Sequence, residues 1–295
     1  MDWDDLRVFL AVARGESLSA AGRGLKIDPA TVGRRIARLE EAMGARLFAK
    51  GPQGYKISEE GERLLTHAEQ VETAMKGASE ALSGPEGLTG QIRIGAPDGS
   101  ANYLLPQVLA RICDDNPGLE VQLVALPRIF NLSKREADMA ISVSAPTAGR
   151  LSVQKITDYQ LHLAASKTYL ERTGPITTRK DLKGRRVIGY IPDMIFDKEL
   201  DYLGETGADT ATLTSNSVSV QFNWVRTGAG VAIVHDFVIP MAPDIEILLK
   251  DEIALTRSFY LIRHLDDRRS DRLNRFAEAL TQGLRQEVAR LEALT

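Results

Sequence analysis

The sequence has almost no cysteine, because Cys113 is the single one among 295 residues. One thiol excludes a disulfide within the chain and a zinc site built from several cysteines. Long apolar runs are missing as well, since no stretch reaches the roughly eighteen residues that a membrane-spanning helix needs. The acidic N-terminus lacks the basic start and apolar stretch of a secretory signal. We therefore expect a cytoplasmic protein.

The signatures of common enzyme classes are also missing. The chain has no phosphate-binding P-loop, no Gly-x-Ser-x-Gly nucleophile turn and no His-Glu-x-x-His zinc motif. Its four histidines are not spaced as metal ligands are. The sequence therefore predicts a protein that is not an enzyme and that holds no metal or other cofactor.

A strong net charge is absent, but the charge is unevenly distributed. Residues 1–58 carry a balance of +3, which leaves −6 for the remainder of the chain. Between residues 23 and 38, five basic residues accompany a single acidic one, Asp28. A basic stripe on an acidic body is typical of a protein that presents one face to nucleic acid.

That stripe lies on a predicted helix whose first residues are typical of a helix N-terminus. Asp28 is a good helix cap, and Pro29 suits the first helical position. Apolar residues at helical spacing predict its buried side: Val32, Ile36, Leu39 and Met43. The opposite side carries a hydroxyl and three cations: Thr31, Arg34, Arg35 and Arg38. Such side chains bind phosphates and guanine edges well.

The surrounding segments predict a winged helix-turn-helix. Two helices precede the arginine-rich one, an apolar stripe over residues 6–13 and a segment over 18–25 that Ser17 can cap. Two strand-like runs, 46–50 and 55–57, then flank a Gly-Pro-Gln-Gly turn.

In this kind of domain the early residues of the recognition helix meet base edges. We therefore expect Thr31, Arg34 and Arg35 to read bases and Arg38 to bind phosphate. The backbone candidates are Ser17, Ser19, Lys50 and Gln53. Simple capping by Ser17 and a solvated hairpin remain alternatives for these.

A heptad pattern follows from residue 58. Its apolar positions are Leu64, Ala68, Val71, Met75, Ala78 and Leu82. The pattern predicts a helix that buries a narrow seam about 27 Å long. A second copy of the chain would cover this seam most simply, giving a homodimer through a linker helix. Packing on the chain's own C-terminal domain is the alternative. Residues 83–87, Ser-Gly-Pro-Glu-Gly, end the helix.

The rest of the chain alternates between strands and helices. The expected strands cover residues 91–95, 119–124, 138–143, 161–165, 186–190, 231–235 and 259–262. The expected helices cover 104–113, a short stretch between 124 and 138, 218–226 and about 267–294. This order predicts an α/β domain with a largely parallel sheet, folded as two lobes around a ligand cleft at the carboxyl ends of the strands.

The predicted boundaries follow from these patterns. The DNA-binding domain covers residues 1–58, the linker helix 59–83 and a hinge 84–90. The effector domain covers 91–295, with one lobe at about 91–160 and 265–295 and the other at about 161–264.

Loops at the strand ends supply the candidate effector-binding residues. They are Asp98, Gly99, Ser100, Phe130, Asn131, Ser142, Ser144, Tyr190, Pro192, Asn216, Ser217 and His235. Ser100, Asn216 and Ser217 fall where helices should begin, so they either bind an anion or cap a helix. Asp98 would repel an anion and favour an amine or a hydroxyl donor. His235 either senses ligand charge or is a structural histidine.

Together the residues strongly resemble the LysR-type transcriptional regulators. In the N-terminal part the matching segments are LRVFLAVA at 6–13, SLSAA at 17–21, TVGRRI at 31–36, LE at 39–40, GARLF at 44–48 and SEEG at 58–61. Looser matches follow in GQIRIG at 90–95, LP at 105–106, NP at 116–117, READMAI at 135–141 and GAGVAI at 228–233. The resemblance covers essentially the whole chain.

The resemblance implies a winged helix-turn-helix, a long linker helix and a two-lobed periplasmic-binding-protein-like effector domain. It implies a homotetramer that binds an inverted repeat in promoter DNA and responds to a small-molecule effector. Two departures matter. Asp28-Pro29-Ala30 replaces residues that often include a base-reading glutamine, and Ser142 stands where the family often has arginine. We therefore expect an altered DNA sequence preference, and the missing arginine makes an anionic effector less favoured.

Two other functions suit parts of the sequence. A cytoplasmic small-molecule-binding protein without a transcriptional role would need only the two-lobed domain. A DNA-binding protein that ignores effectors would need only the N-terminal part.

Overall fold

The computed structural model describes residues 2–51, 54–82, 87–125, 137–146 and 150–295. Contacts within the chain divide it into two compact units. The N-terminal unit comprises Met1–Glu86 with Asp266–Arg272, and the C-terminal unit comprises Gly87–Leu265 with Leu273–Thr295. Across the described ranges, no helix is long and apolar enough to cross a membrane. Where the functional domains and lobes divide stays a prediction.

Three helices open the N-terminal unit: α1 (Trp3–Gly15), α2 (Leu18–Leu25) and α3 (Pro29–Met43). Each begins with a side-chain cap, from Asp2, Ser17 and Asp28 in turn. The turn after α2 requires Gly22, because a Cβ atom at this position would lie 2.7 Å from the carbonyl oxygen of Ile27. The predicted helix-turn-helix is confirmed.

A hairpin and a long helix complete this unit. Strands β1 (Phe48–Gly51) and β2 (Gly54–Ile57) pair antiparallel and form the predicted wing. Helix α4 covers Glu59–Leu82, as the heptad spacing predicts. Its first seam residues, Leu64 and Ala68, pack in the core of the unit. Val71 and Met75 are 39% and 50% exposed. The side chains of Ala78 and Leu82 lie outside the described part.

The C-terminal unit is built on a mixed sheet. Its strands are β3 (Gly90–Ala96), β4 (Leu119–Ala125), β5 (Met139–Ser142), β6 (Leu151–Ser166), β7 (Ile188–Gly189), β8 (Leu213–Thr214), β9 (Ala232–His235), β10 (Ile245–Leu248) and β11 (Ala254–His264). Among the described strands, seven join in the order β10-β6-β11-β5-β3-β4, with β9 also on β6. β7 and β8 form a separate pair.

The prediction of a largely parallel sheet is wrong. β3 is parallel to β4 and β5, but β11 is antiparallel to both β5 and β6. β9 and β10 are antiparallel to β6 as well. The first half of β6 was not predicted because charged residues interrupt its pattern. Two of them, Lys155 and Asp158, form an ion pair at 2.7 Å.

Helices cover this sheet and the small β7–β8 pair. They are α5 (Asp98–Tyr103), α6 (Leu105–Asp114), α7 (Lys167–Thr173), α8 (Val218–Arg226) and α9 (Asp271–Glu292). Short 3-10 helices lie at Arg179–Leu182, Pro192–Met194, Lys198–Leu200, Leu203–Thr206, Asp236–Met241 and Leu265–Arg269. Helix α8 has the predicted bounds, whereas α9 starts later than predicted because a 3-10 helix precedes it. The short helix predicted between 124 and 138 lies outside the described residues.

Candidate nucleic-acid interface and ligand cleft

Helix α3 presents the predicted basic side. The Asp28 carboxylate accepts a hydrogen bond from the Ala30 amide at 2.8 Å and so caps the helix. Val32, Ile36 and Leu39 are buried, which fixes the rotation of α3. Met43 was predicted to be buried but is 43% exposed. It is the last residue of the helix, so no further turn packs over it.

Acidic residues of α1 hold two of the three arginines. Arg38 Nε donates to Asp5 Oδ2 at 2.7 Å, and its Nη2 donates to Asp5 Oδ1. Arg35 Nη1 lies 3.6 Å from Asp4 Oδ2 and 3.7 Å from Asp5 Oδ1. The Asp5 side chain is only 4% exposed, so these cations compensate a buried charge. Sequence analysis did not anticipate this pairing, although the acidic first turn of α1 was visible.

Arg34 differs from its neighbours. Its side chain is exposed, and Nη2 donates a long hydrogen bond of 3.5 Å to Thr31 Oγ1. Within the described ranges it has no acidic partner. Arg34 is therefore the cation of this helix that is free to bind a ligand without first breaking an ion pair.

The other predicted DNA contacts are less well defined. Ser17 caps α2 by accepting from the Ala20 amide at 3.4 Å, and Ser19 is exposed on the same helix. The Lys50 backbone lies in β1 opposite Tyr55. Gln53 and the Lys50 side chain lie outside the described part.

In the C-terminal unit, a cleft lies where α5, α8 and the ends of the strands meet. Thirteen residues line it: Pro97, Asp98, Gly99, Ser100, Val143, Tyr159, Tyr190, Phe196, Leu200, Asn216, Val218, His235 and Phe259. Six of the predicted effector-binding residues are among them. The open volume is about 20 Å³, which is room for a single water molecule. The cleft is therefore closed in this structure.

The Asp98 carboxylate connects the two sides of the cleft. Its Oδ2 accepts hydrogen bonds from the Ser219 amide at 2.9 Å, from Ser219 Oγ at 3.0 Å and from Ser217 Oγ at 3.1 Å. Ser217 also caps α8 by accepting from the Val220 amide at 3.3 Å. A carboxylate of the protein thus occupies the positive end of α8, where an anionic ligand would otherwise be stabilised.

Buried polar atoms of His235 and Tyr159 line the same cleft. Within the described residues, neither His235 Nδ1 nor the Tyr159 hydroxyl has a hydrogen-bond partner. The two rings stack with centroids 5.5 Å apart. Burial lowers the pKa of His235 to about 4, so this imidazole is neutral at pH 7. Both atoms are buried polar groups without a partner, and a ligand in the cleft would have to move neighbouring side chains to reach them.

The remaining candidates lie outside the cleft lining. Ser142 belongs to β5 and faces Tyr260 across the strand pair. Ser144 Oγ donates to Asp197 Oδ2. Pro192 lines a neighbouring cavity rather than the cleft. Phe130 and Asn131 lie outside the described residues.

Seven of the thirteen lining residues were not predicted, among them Tyr159 and Phe259, and Ser219, which bonds to Asp98, was missed as well. Tyr159 sits in the unpredicted half of β6, and Phe259 pairs beside it with ring centroids 4.2 Å apart. Ser219 follows the recognisable cap Ser217 by two residues, which was the one local signal available.

The charge of the cleft is negative or neutral. Asp98 is its one ionisable acid, and no lysine or arginine lines it within the described ranges. The same ranges hold no group of histidine, cysteine and acidic side chains that could bind a metal ion. The cleft is thus suited to a ligand that carries hydrogen-bond donors.

Both halves of the chain match known protein families. Residues 3–62 match the family of bacterial regulatory helix-turn-helix proteins of the lysR family. Residues 85–285 match the LysR substrate binding domain.

Individual relatives agree with these matches. The HTH-type transcriptional regulator CrgA of Neisseria meningitidis is 24% identical over 239 residues, which are 80% of either chain. The Mau operon transcriptional activator of Paracoccus denitrificans is 28% identical over 239 residues, again 80% of either chain. A full-length OxyR variant from Pseudomonas aeruginosa shares the fold with a TM-score of 0.72 at 17% identity, over 97% of this chain and 95% of that one.

These relatives are transcriptional regulators and not enzymes. The two family matches follow one another along the chain in the order of its two units and account for most of its length. The chain therefore belongs to the LysR family of transcriptional regulators, with a helix-turn-helix DNA-binding domain followed by a substrate-binding domain.

Proposed function

We propose that α3 enters the major groove of an operator and that Arg34, with Thr31, reads base edges there. The observation that carries this proposal is the exposed Arg34, which has no acidic partner in the described residues. Its neighbours Arg35 and Arg38 are already paired with acids of α1. We assign Arg35 a base contact at the edge of the interface and Arg38 a phosphate contact, both oriented by Asp4 and Asp5.

Backbone contacts would complete this interface. Ser17 and Ser19, at the start of α2, are placed to donate to phosphate oxygens, and Lys50 and Gln53 of the wing to follow the DNA backbone. Such contacts set the position of the protein on DNA, while Arg34 supplies sequence preference.

We propose that two copies pair along α4 and that two dimers form a homotetramer on an inverted repeat. Val71 and Met75 support the pairing, because they are exposed apolar residues at heptad positions. Since the proposed operator is promoter DNA, the protein would act in the cytoplasm.

The proposed effector is a small neutral or cationic molecule with several hydrogen-bond donors. Asp98 disfavours an anion at the α8 terminus, and no cation among the described lining residues would offset this. His235 Nδ1 and the Tyr159 hydroxyl offer further partners.

Effector binding would work by shifting a population between closed and open clefts. The ligand's donors compete with Ser217 and Ser219 for the Asp98 carboxylate. A ligand that binds the opened form more tightly stabilises it, and the difference reaches the DNA-binding helices as a change in operator contacts.

An Arg34→Ala substitution tests the DNA-binding proposal. We expect it to weaken operator binding by about 1–3 kcal/mol and to relax preference at one base pair. Arg63→Ala is the matched control, because it removes an equal charge from α4, where Arg63 pairs with Glu60 at 3.2 Å. Fluorescence anisotropy at fixed salt, with operators varied at each position, measures both effects.

Two results would contradict the proposal. If Arg34→Ala and Arg63→Ala lost the same amount of operator affinity, Arg34 would contribute only through its positive charge. If Arg34→Ala lost neither operator affinity nor base preference, Arg34 would not contact the operator.

A further inference from the structure

A second cavity lies beside the cleft in the C-terminal unit. Its volume is about 280 Å³, far more than that of the closed cleft. β7, α8, β9 and the chain between residues 190 and 211 enclose it. It shares Tyr190 and Leu200 with the cleft lining, but neither Asp98 nor His235 reaches it. The cavity therefore adjoins the cleft but is lined mostly by other residues.

The interior of this cavity is mainly apolar. Its walls include Val187, Ile188, Ile195, Leu203, Ala211 and Ile233. A space of this size lies just below the range of roughly 300–1,000 Å³ that is usual for small-molecule pockets. It fits a small molecule with an apolar body.

Two carboxylates lie at the exposed side of the cavity. Asp201 and Asp209 line it, both are exposed, and neither carboxylate has a hydrogen bond or an ion pair among the described residues. The described lining holds no lysine, arginine or histidine. Arg257 lies over the ring of the lining residue Tyr202, with its guanidinium carbon 5.9 Å from the ring centroid, and is already paired with Glu199 at 2.9 Å. The local charge therefore favours a cation.

The tyrosine wall supports the same ligand class. Tyr190 and Tyr202 meet edge to face with ring centroids 6.0 Å apart. Tyr202 is 7% exposed, and its hydroxyl has no hydrogen-bond partner in the part of the chain described. A buried polar atom left unsatisfied is uncommon in folded proteins. Aromatic faces also attract cations.

We propose that this cavity is a second ligand site, for a small amine with an apolar body. The apolar part fills the space between β7, α8 and β9. The ammonium group stays at the entrance between Asp201 and Asp209. This site adjoins the cleft and does not depend on the role proposed for Asp98.

Calorimetric titration of the full-length protein with phenethylammonium chloride tests the proposal. We expect a dissociation constant on the order of 1 mM, typical of a ligand this small. The uncharged 2-phenylethanol and the anionic phenylacetate have similar shapes, and we expect each to bind at least about tenfold more weakly. Added NaCl should weaken the binding of the amine more than that of the uncharged 2-phenylethanol, because salt screens exposed charges.

The double variant Asp201→Asn/Asp209→Asn should bind phenethylammonium at least about tenfold more weakly. Asp114→Asn/Asp251→Asn is the matched control, because both residues are exposed and neither lines the cavity. Equal melting temperatures of the two variants would show that both remain folded. Unchanged phenethylammonium binding in the first variant would overturn the proposal. So would binding of 2-phenylethanol as tight as that of phenethylammonium, or no detectable amine binding up to about 20 mM.

Discussion

His235 shows how burial sets the chemistry of one side chain. It is 5% exposed and packs between Tyr159 and Phe237, with ring centroids 5.5 and 4.9 Å away. Removing the imidazole from water lowers its pKa to about 4, and the nearby Asp98 charge offsets only part of this effect. His235 is thus a neutral hydrogen-bonding group in the cleft and not a charge sensor at neutral pH.

This lowered pKa predicts a pH dependence of stability. Because unfolded His235 binds a proton near pH 6.5 and folded His235 only near 4, the unfolded state gains protons first on acidification. Between pH 7 and 5 the free energy of unfolding should therefore fall by about 1–2 kcal/mol on account of this residue. His235→Gln should remove that share of the decrease.

Urea unfolding of both proteins at pH 7, 6 and 5 measures the difference. His67→Gln is the control, since His67 is exposed on α4. An unchanged pH profile in His235→Gln would mean that His235 is protonated without cost in the folded protein.

At the scale of single elements, α4 contains two kinds of seam position. Leu64 and Ala68 pack in the core of the N-terminal unit, whereas Val71 and Met75 remain exposed. One regular heptad pattern therefore covers an intramolecular contact at its start and an uncovered stripe further along. The uncovered stripe is the part available for dimerisation.

Charging the stripe should separate the proposed dimer. The double variant Val71→Lys/Met75→Lys places two ammonium groups in the proposed interface. Because each buried apolar side chain is expected to contribute about 1.5–3 kcal/mol there, the dimer dissociation constant should rise at least about 100-fold. Sedimentation equilibrium measures this. Gln70→Lys is the control, because it adds a lysine at an exposed polar position of the same helix. A dimer that tolerates the double change pairs through another surface.

At the scale of the whole molecule, closure of the cleft depends on contacts between distant parts of the chain. Asp98 and Ser219 lie 121 residues apart in sequence and 2.9 Å apart in space. The carboxylate bonds to Ser217 and Ser219 are stronger than neutral hydrogen bonds and favour the closed form. This connection is where we expect ligand binding to act.

The Asp98→Ala substitution should shift the cleft towards its open form, as we propose that the ligand does. The Ser219 amide loses its acceptor and should exchange its hydrogen at least about tenfold faster. If closure controls operator contacts, the DNase footprint should change without any ligand. Asp114→Ala, at an exposed site on α6, should alter neither measurement. Unchanged exchange at Ser219 in Asp98→Ala would rule out Asp98 as the closing contact.

Several elements could be predicted from the order of residues alone, because their causes are local. Caps at Ser17, Asp28 and Ser217 and helical spacing of apolar residues gave α2, α3 and α8 with correct bounds. Local spacing also predicted which side of α3 is basic. It did not predict the direction of neighbouring strands, because buried strands have similar patterns in parallel and antiparallel sheets.

The packing of distant segments was needed to show which charges are already paired and which spaces are enclosed. The Arg38–Asp5 pair joins residues 33 positions apart, and the second cavity is formed by segments between residues 187 and 233. Such contacts follow from packing several elements together and leave no periodic trace in any one of them. The sequence therefore indicated a basic helix and a cleft, while the fold showed that Arg34 is the cation of α3 without an acidic partner among the described residues and that Asp98 bridges the cleft.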